Sequence, residues 1–101
     1  MAKRSAVEHN EARARLIARD KTKRALLRAK ARDREGTLEG RFSATVELAK
    51  LARNGAAVRY RRRCFLTGRA RGVYREYGVS RIMLRELALD GHLPGVVKAS
   101  W

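Results

Sequence analysis

Positive charge is what most limits the folds open to this chain. Twenty-five lysines and arginines stand against ten aspartates and glutamates, a net charge of +15 on 101 residues. Like charges crowded into a small body repel, and a chain of this length buries only a modest share of its surface. The apolar inventory offers little in return, because sixteen of the apolar residues are alanine. Such a chain is expected to reach full order against a polyanion that neutralises it.

The charge is also patterned. Residues 1–34 hold twelve bases and four acids, and residues 53–85 ten bases and one acid. Between them, residues 35–52 hold two bases and three acids, and residues 86–101 hold one base and two acids. Two basic blocks of +8 and +9 therefore flank a segment of −1. Arginine outnumbers lysine 19 to 6. Guanidinium forks bind phosphate bidentately and stack on bases, which ammonium groups do poorly, so the bias suits RNA; it equally suits a GC-rich genome, because most arginine codons are GC-rich.

Residues 5 to about 33 predict one long helix, rich in Ala, Leu and Arg and free of Gly and Pro. Ser5 is the expected N-cap, with Glu8 completing a capping box. Leu16, Ile17, Leu26 and Leu27 are parted by charged turns, so this helix has no stripe that could anchor a core. A second helix is expected over 38–52. Leu38, Phe42, Thr45, Val46 and Ala49 share one face of it, and Asn54-Gly55 ends it. Residues 55–63 are a basic connector. Ser80 is the expected N-cap of a third helix that stops at Gly91, with an apolar stripe of Met83, Leu84, Leu87 and Ala88. The final "LPGVVKASW" predicts a turn and an extended tail. The fold expected is mainly α: extended N-terminal helices (1–55) and a small, irregular, glycine-rich module (56–101) with a short C-terminal helix and tail.

Residues 61–87 carry eight arginines against two acids, with glycines at 68, 72 and 78. A C-x2-C…C-x2-C zinc template laid on this stretch falls on Cys64, Thr67, Ser80 and Met83. The spacing suits a zinc knuckle, but only one of the four positions supplies a zinc ligand. The expected module is knuckle-like and holds no metal. Thr67-Gly68 forms a turn, Ser80 caps the helix, and Met83 fills apolar space.

Several function classes are disfavoured by the residues themselves. Cys64 and His92 have no acid placed to orient the imidazole, so a nucleophile–base pair is not supported. The chain has no apolar run of membrane-spanning length. The first helix lacks the Trp, Phe and Leu face of a membrane-surface helix. A single cysteine excludes an internal disulfide, and the N-terminal segment carries acids and no apolar stretch, unlike a leader. No cofactor and no small-molecule substrate is expected, and the expected compartment is the cytoplasm.

The C-terminal half has a more specific pattern, "RC..TGR..G..R..G.SR...RE.A..G..PG..KASW", running from Arg63 to the last residue. This closely resembles the fourteenth-protein family of the bacterial small ribosomal subunit, in its long, cysteine-poor form. Some members of that family carry four cysteines and a zinc ion, and by that resemblance Cys64 is a remnant of such a set. The resemblance implies a non-catalytic constituent of the small subunit, bound to 16S ribosomal RNA in the subunit head beside neighbouring head proteins. The N-terminal half matches less specifically. The residues expected to face RNA are Lys3, Arg4, Arg59, Arg61, Arg62, Arg63, Arg69, Arg71, Arg75, Arg81, Arg85, Lys98 and Trp101. The arginines supply phosphate contacts and Trp101 a stacking or docking ring. A nonspecific nucleic-acid packaging protein is the alternative that composition alone permits.

Overall fold

The computed structural model describes residues 1–100; Trp101, expected to stack or dock, lies outside the described residues. The chain is mainly α-helical. Helix α1 spans Arg4–Arg32, α2 Leu38–Lys50 and α3 Arg81–Leu89. Two single-turn 3-10 segments, Arg53–Gly55 and Ala57–Arg59, follow α2. A two-stranded antiparallel hairpin, β1 (Val73–Tyr74) and β2 (Val79–Ser80), pairs Val73 with Ser80 and Tyr74 with Val79. The chain divides into two compact units: Met1–Glu8 with everything from Arg61 onward, and His9–Tyr60.

The His9–Tyr60 unit contains most of α1 and all of α2. As its unstriped sequence requires, α1 buries a single large apolar residue, Leu27, along with Asn10 and Asp20. The expected Ser5 cap is not formed. The helix begins one residue earlier, with the Ala6 N–H bonded to the Lys3 carbonyl at 2.9 Å, and Glu8 pairs instead with Arg4 at 3.0 Å. That i,i+4 pair is well exposed and contributes little. Thr37 caps α2, its hydroxyl accepting from the Gly40 N–H at 3.3 Å. The helix ends at Lys50, two residues before the expected end, where the Leu51 N–H bonds the Leu48 carbonyl. The expected face of α2 exists but points to solvent: Leu38, Phe42, Thr45 and Ala49 are exposed and Val46 is half-buried. The buried residue of this helix is Ala44, which lines a cleft with Leu27.

The other unit is built around the hairpin. Its strands are too short to show alternation, which is why they were not expected from the sequence. A web of main-chain bonds holds the loop before them: Cys64 N–H to Arg69 carbonyl at 2.8 Å, Gly68 N–H to Cys64 carbonyl at 2.8 Å, and Phe65 N–H to Gly78 carbonyl at 2.9 Å. The Thr67-Gly68 turn is present, with Gly68 at φ 70°. Ser80 caps α3 as expected, accepting from the Met83 N–H at 3.4 Å. At the other end, His92 N–H reaches the Leu87 carbonyl and Gly91 N–H the Ala88 carbonyl, the two bonds of a Schellman stop. The stripe residues Met83, Leu84, Leu87 and Ala88 are half-buried. Beyond α3, the Val96 N–H bonds the Leu93 carbonyl across Pro94-Gly95, and residues 96–100 have no regular structure.

Candidate nucleic-acid interface

The cations expected to face RNA do not all play one role. Lys3, Arg4, Arg59, Arg61, Arg62, Arg71, Arg75, Arg81, Arg85 and Lys98 are exposed. Arg63 and Arg69 are half-buried. Arg63 gives its Nη1 to the Gly68 carbonyl at 2.9 Å and so braces the turn. Arg69 gives its Nε to the Arg71 carbonyl at 3.1 Å, which orients the guanidinium along the loop. Arg59 reaches Asn54 Oδ1 at 3.3 Å.

Three of the exposed cations converge. Arg81 and Arg85, one helical turn apart on α3, and Lys98 of the tail line a cleft of about 290 Å³ together with Tyr74 of β1. Among the described residues no acid lines it, and Leu84, Ala88, Leu89, Val96 and Val97 also form its wall. Tyr74 is 51% exposed. Cations around an accessible ring are the combination that meets phosphates and bases together. Arg81 is held across the Gly72 turn, where a Cβ would stand 3.3 Å from its Cδ, and the Arg81 N–H bonds the Gly72 carbonyl at 2.8 Å. A second cleft of about 580 Å³ in the same unit is lined by Arg69 and Arg71 with Met1, Ala2, Ile82 and Met83, and also by Glu86. The N-terminal residues had no local signal that would have placed them there.

Cys64 is enclosed, with 2% of its surface exposed. Burial pushes its thiol up. The Thr67 side chain and the backbone N–H groups of Thr67, Ser80 and Leu66 stabilise the thiolate and outweigh burial, bringing the pKa to about 6. The groups around the sulfur are hydrogen-bond donors. One thiol with two hydroxyl residues and a thioether does not make the closed thiolate–imidazole set that structural zinc requires. Among the described residues no group of three His, Cys, Asp or Glu side chains could hold a metal ion.

A mainly helical chain with this charge, with exposed cations both along α1 and around a small hairpin and its one thiol enclosed, has the character of a basic structural protein. The family described as Ribosomal protein S14p/S29e matches residues 47–100. Over all 101 residues, and the full length of each relative, the chain is 55% identical to small ribosomal subunit protein uS14 of Granulibacter bethesdensis and 54% identical to that of Acidiphilium cryptum. The same protein of Rhodospirillum centenum is 52% identical over the same span. The chain belongs to the ribosomal protein S14p/S29e family, whose members are structural components of a ribonucleoprotein that serves translation, and it is not an enzyme.

Proposed function

We propose that this protein is a constituent of the cytoplasmic small ribosomal subunit, where it binds 16S ribosomal RNA in the subunit head beside other head proteins. The relatives carry the small-subunit name over their whole length. The observation that carries RNA binding is the cleft of Arg81, Arg85, Lys98 and Tyr74, which no acid lines among the described residues. Its cations neutralise phosphates, and Tyr74 offers a base a stacking surface. Arg61, Arg62, Arg71 and Arg75 extend the contact along the same unit, and the exposed cations of α1 take a second RNA segment. The protein thereby holds together RNA segments that would otherwise repel. Residues 56–101 are the RNA-binding module, and residues 1–55 a basic helical extension whose first residues reach into that module.

The module is a zinc-free counterpart of a knuckle. Support comes from Cys64, Thr67, Ser80 and Met83: the first three meet around one sulfur, and the Met83 N–H bonds Ser80 Oγ. The backbone N–H groups of Thr67, Ser80 and Leu66 beside the sulfur stand where metal–thiolate bonds would close such a loop.

A competition assay tests the reading. The labelled ligand is the head domain of 16S rRNA with its other proteins bound, and the competitor is an unrelated structured RNA of equal length, at near-physiological salt. Retention against a large excess of competitor is the expected result. Equal competition by both RNAs would leave only nonspecific charge and favour nucleic-acid packaging.

A further inference from the structure

The cleft beside Tyr74 carries two chemistries. Arg81, Arg85 and Lys98 supply charge, while Leu84, Ala88, Leu89, Val96 and Val97 supply hydrocarbon. Leu89 and Val97 are 57% and 83% exposed. Phosphates would satisfy the cations and leave that hydrocarbon in water, where it keeps the hydration cost that burial removes. The face of a nucleobase would cover it.

The ring that would meet such a base is held in place. Tyr74 pairs with Val79 across the hairpin, and its carbonyl accepts from the Gly78 N–H at 2.9 Å. An aromatic platform on an ordered backbone loses little freedom when a base stacks on it. The cations are also unspent. Arg63 and Arg69 give their guanidiniums to the Gly68 and Arg71 carbonyls, whereas Arg81, Arg85 and Lys98 have no side-chain partner among the described residues.

Strandedness follows from which part of a base can be reached. Within a duplex each base is covered above and below by its neighbours. An A-form helix offers only phosphates, 2′-hydroxyls and base edges on its outside. Nothing in it can lie flat against Tyr74 and the leucines and valines. The cleft volume of about 290 Å³ stands at the foot of the range for small-molecule pockets, about 300–1,000 Å³. It has room for one base and none for a helix.

We propose that this cleft binds an unpaired, unstacked nucleotide of RNA, with its base laid on Tyr74 against the apolar wall and its flanking phosphates on Arg81, Arg85 and Lys98. This rests on the RNA-binding reading above and adds the kind of RNA the cleft selects. Stacking tolerates any base, because every base has a π-face. The cleft therefore selects strandedness and not sequence, taking a nucleotide of a loop, bulge or junction over one in a helix.

Photocrosslinking and binding on the full chain test this. The probes are a short single-stranded RNA containing 5-iodouridine and the same strand annealed to its complement, at near-physiological salt. Irradiation joins the iodinated base to a ring stacked on it, and mass spectrometry identifies the residue. Tyr74 is the expected product, with a yield on the single strand roughly fivefold or more above that on the duplex. Tyr74→Ala is expected to lower single-strand affinity about fivefold to a hundredfold, as one lost stacking contact does. The slope of log affinity against log salt should not change, since no phosphate contact is lost. Tyr74→Phe should bind like the native chain. Tyr74→Leu keeps bulk on the strand without a π-face and should show the loss even if Tyr74→Ala fails to fold. Equal Tyr74 crosslinking of single strand and duplex, crosslinks at other residues alone, or undiminished affinity in the folded Ala and Leu variants would overturn the nucleotide cleft and leave RNA binding by the chain in place. A native chain that holds neither probe nor the rRNA head domain would overturn the RNA-binding reading and this inference with it.

Discussion

The backbone N–H of Ala2 donates to the carbonyl of Thr67 at 3.0 Å, tying the start of the chain to a turn 65 positions away. The neighbouring Gly68 explains the closeness. It is buried at φ 70°, and a Cβ there would stand 2.8 Å from Val7 Cγ2 and 3.1 Å from Ala2 Cβ. The N-terminal residues thus form part of the hairpin unit's wall.

Gly68→Ala should therefore destabilise this unit in two ways. A side chain in the left-handed region costs about 1–2 kcal/mol, and the overlap with Val7 and Ala2 adds to it. A melting midpoint lower by roughly 4–8 °C per kcal/mol is expected for a chain of about 100 residues. Deleting residues 1–7 removes the overlap but not the backbone strain. The penalty of Gly68→Ala must then be smaller in the truncated chain, a coupling that a double-mutant cycle measured by thermal denaturation reads directly.

Cys64 makes stability depend on pH in a predictable direction. Its folded pKa of about 6 lies below the ordinary value of 9.0, so the ionised form favours the folded state. That contribution is fully present above pH 9, shrinks as pH falls, and is gone below about pH 6. The melting midpoint of the native chain should rise relative to that of Cys64→Ala between pH 6 and pH 9. Thiolate absorbance in the ultraviolet should titrate near pH 6. A thiol titrating at its ordinary value would remove the hydrogen-bonded thiolate from the account of this loop.

The His9–Tyr60 unit has an acid-sensitive contact of its own. A Cβ at Gly55 would stand 2.6 Å from Asp20 Oδ2, and Asp20 Oδ1 accepts from Arg19 Nε at 2.8 Å. The bond from Arg19 holds the Asp20 carboxyl below its ordinary range, against the opposing effect of burial. A depressed carboxyl contributes stability that is present above its ordinary pKa and lost as pH falls through the folded one. Thermal melts in acid should show that loss in the native chain and not in Asp20→Asn. Gly55→Ala forces the carboxylate aside, and the overpacking is expected to cost roughly 1–3 kcal/mol at any pH. If Gly55→Ala melts like the native chain, the close approach of Gly55 to Asp20 is wrong.

The sequence was most readable where the physics is local. Helix α1 follows from an Ala-, Leu- and Arg-rich run, α2 and α3 from apolar spacing, and the Ser80 cap and Gly91 stop of α3 are short-range chemistry. The reading failed where partners are distant or elements very short. Ser5 satisfied a capping pattern, yet the chain turned helical one residue before it. The strands of two residues left no periodic trace, and nothing in the first residues pointed to Thr67. The apolar spacing of α2 announced a helix correctly but could not say whether the stripe met a core or faced solvent. Of the cations, the sequence could not separate Arg63, bonded to the Gly68 carbonyl, from exposed neighbours such as Arg62.

That separation can be measured. Arg81 and Arg85 lie exposed in the cleft beside Tyr74 and Lys98, so Arg81→Ala with Arg85→Ala should weaken binding to the rRNA head domain and flatten its salt dependence. Each phosphate contact contributes roughly 0.7–0.9 to the slope of log affinity against log salt, so a decrease of about 1.4–1.8 is expected. Little change in melting midpoint should accompany it, because exposed charges carry little stability. Arg63→Ala should show the opposite balance. Losing the 2.9 Å bond to the Gly68 carbonyl lowers the midpoint, through a stability loss of roughly 1.5–3 kcal/mol for a hydrogen bond from a charged donor. The salt slope of the folded variant changes by less than one contact. Filter binding over a range of salt, paired with thermal melts of the same samples, distinguishes the two. An unchanged slope in the Arg81/Arg85 variant would take the cleft out of the RNA interface. A full-contact loss of slope in Arg63→Ala would put that side chain into it.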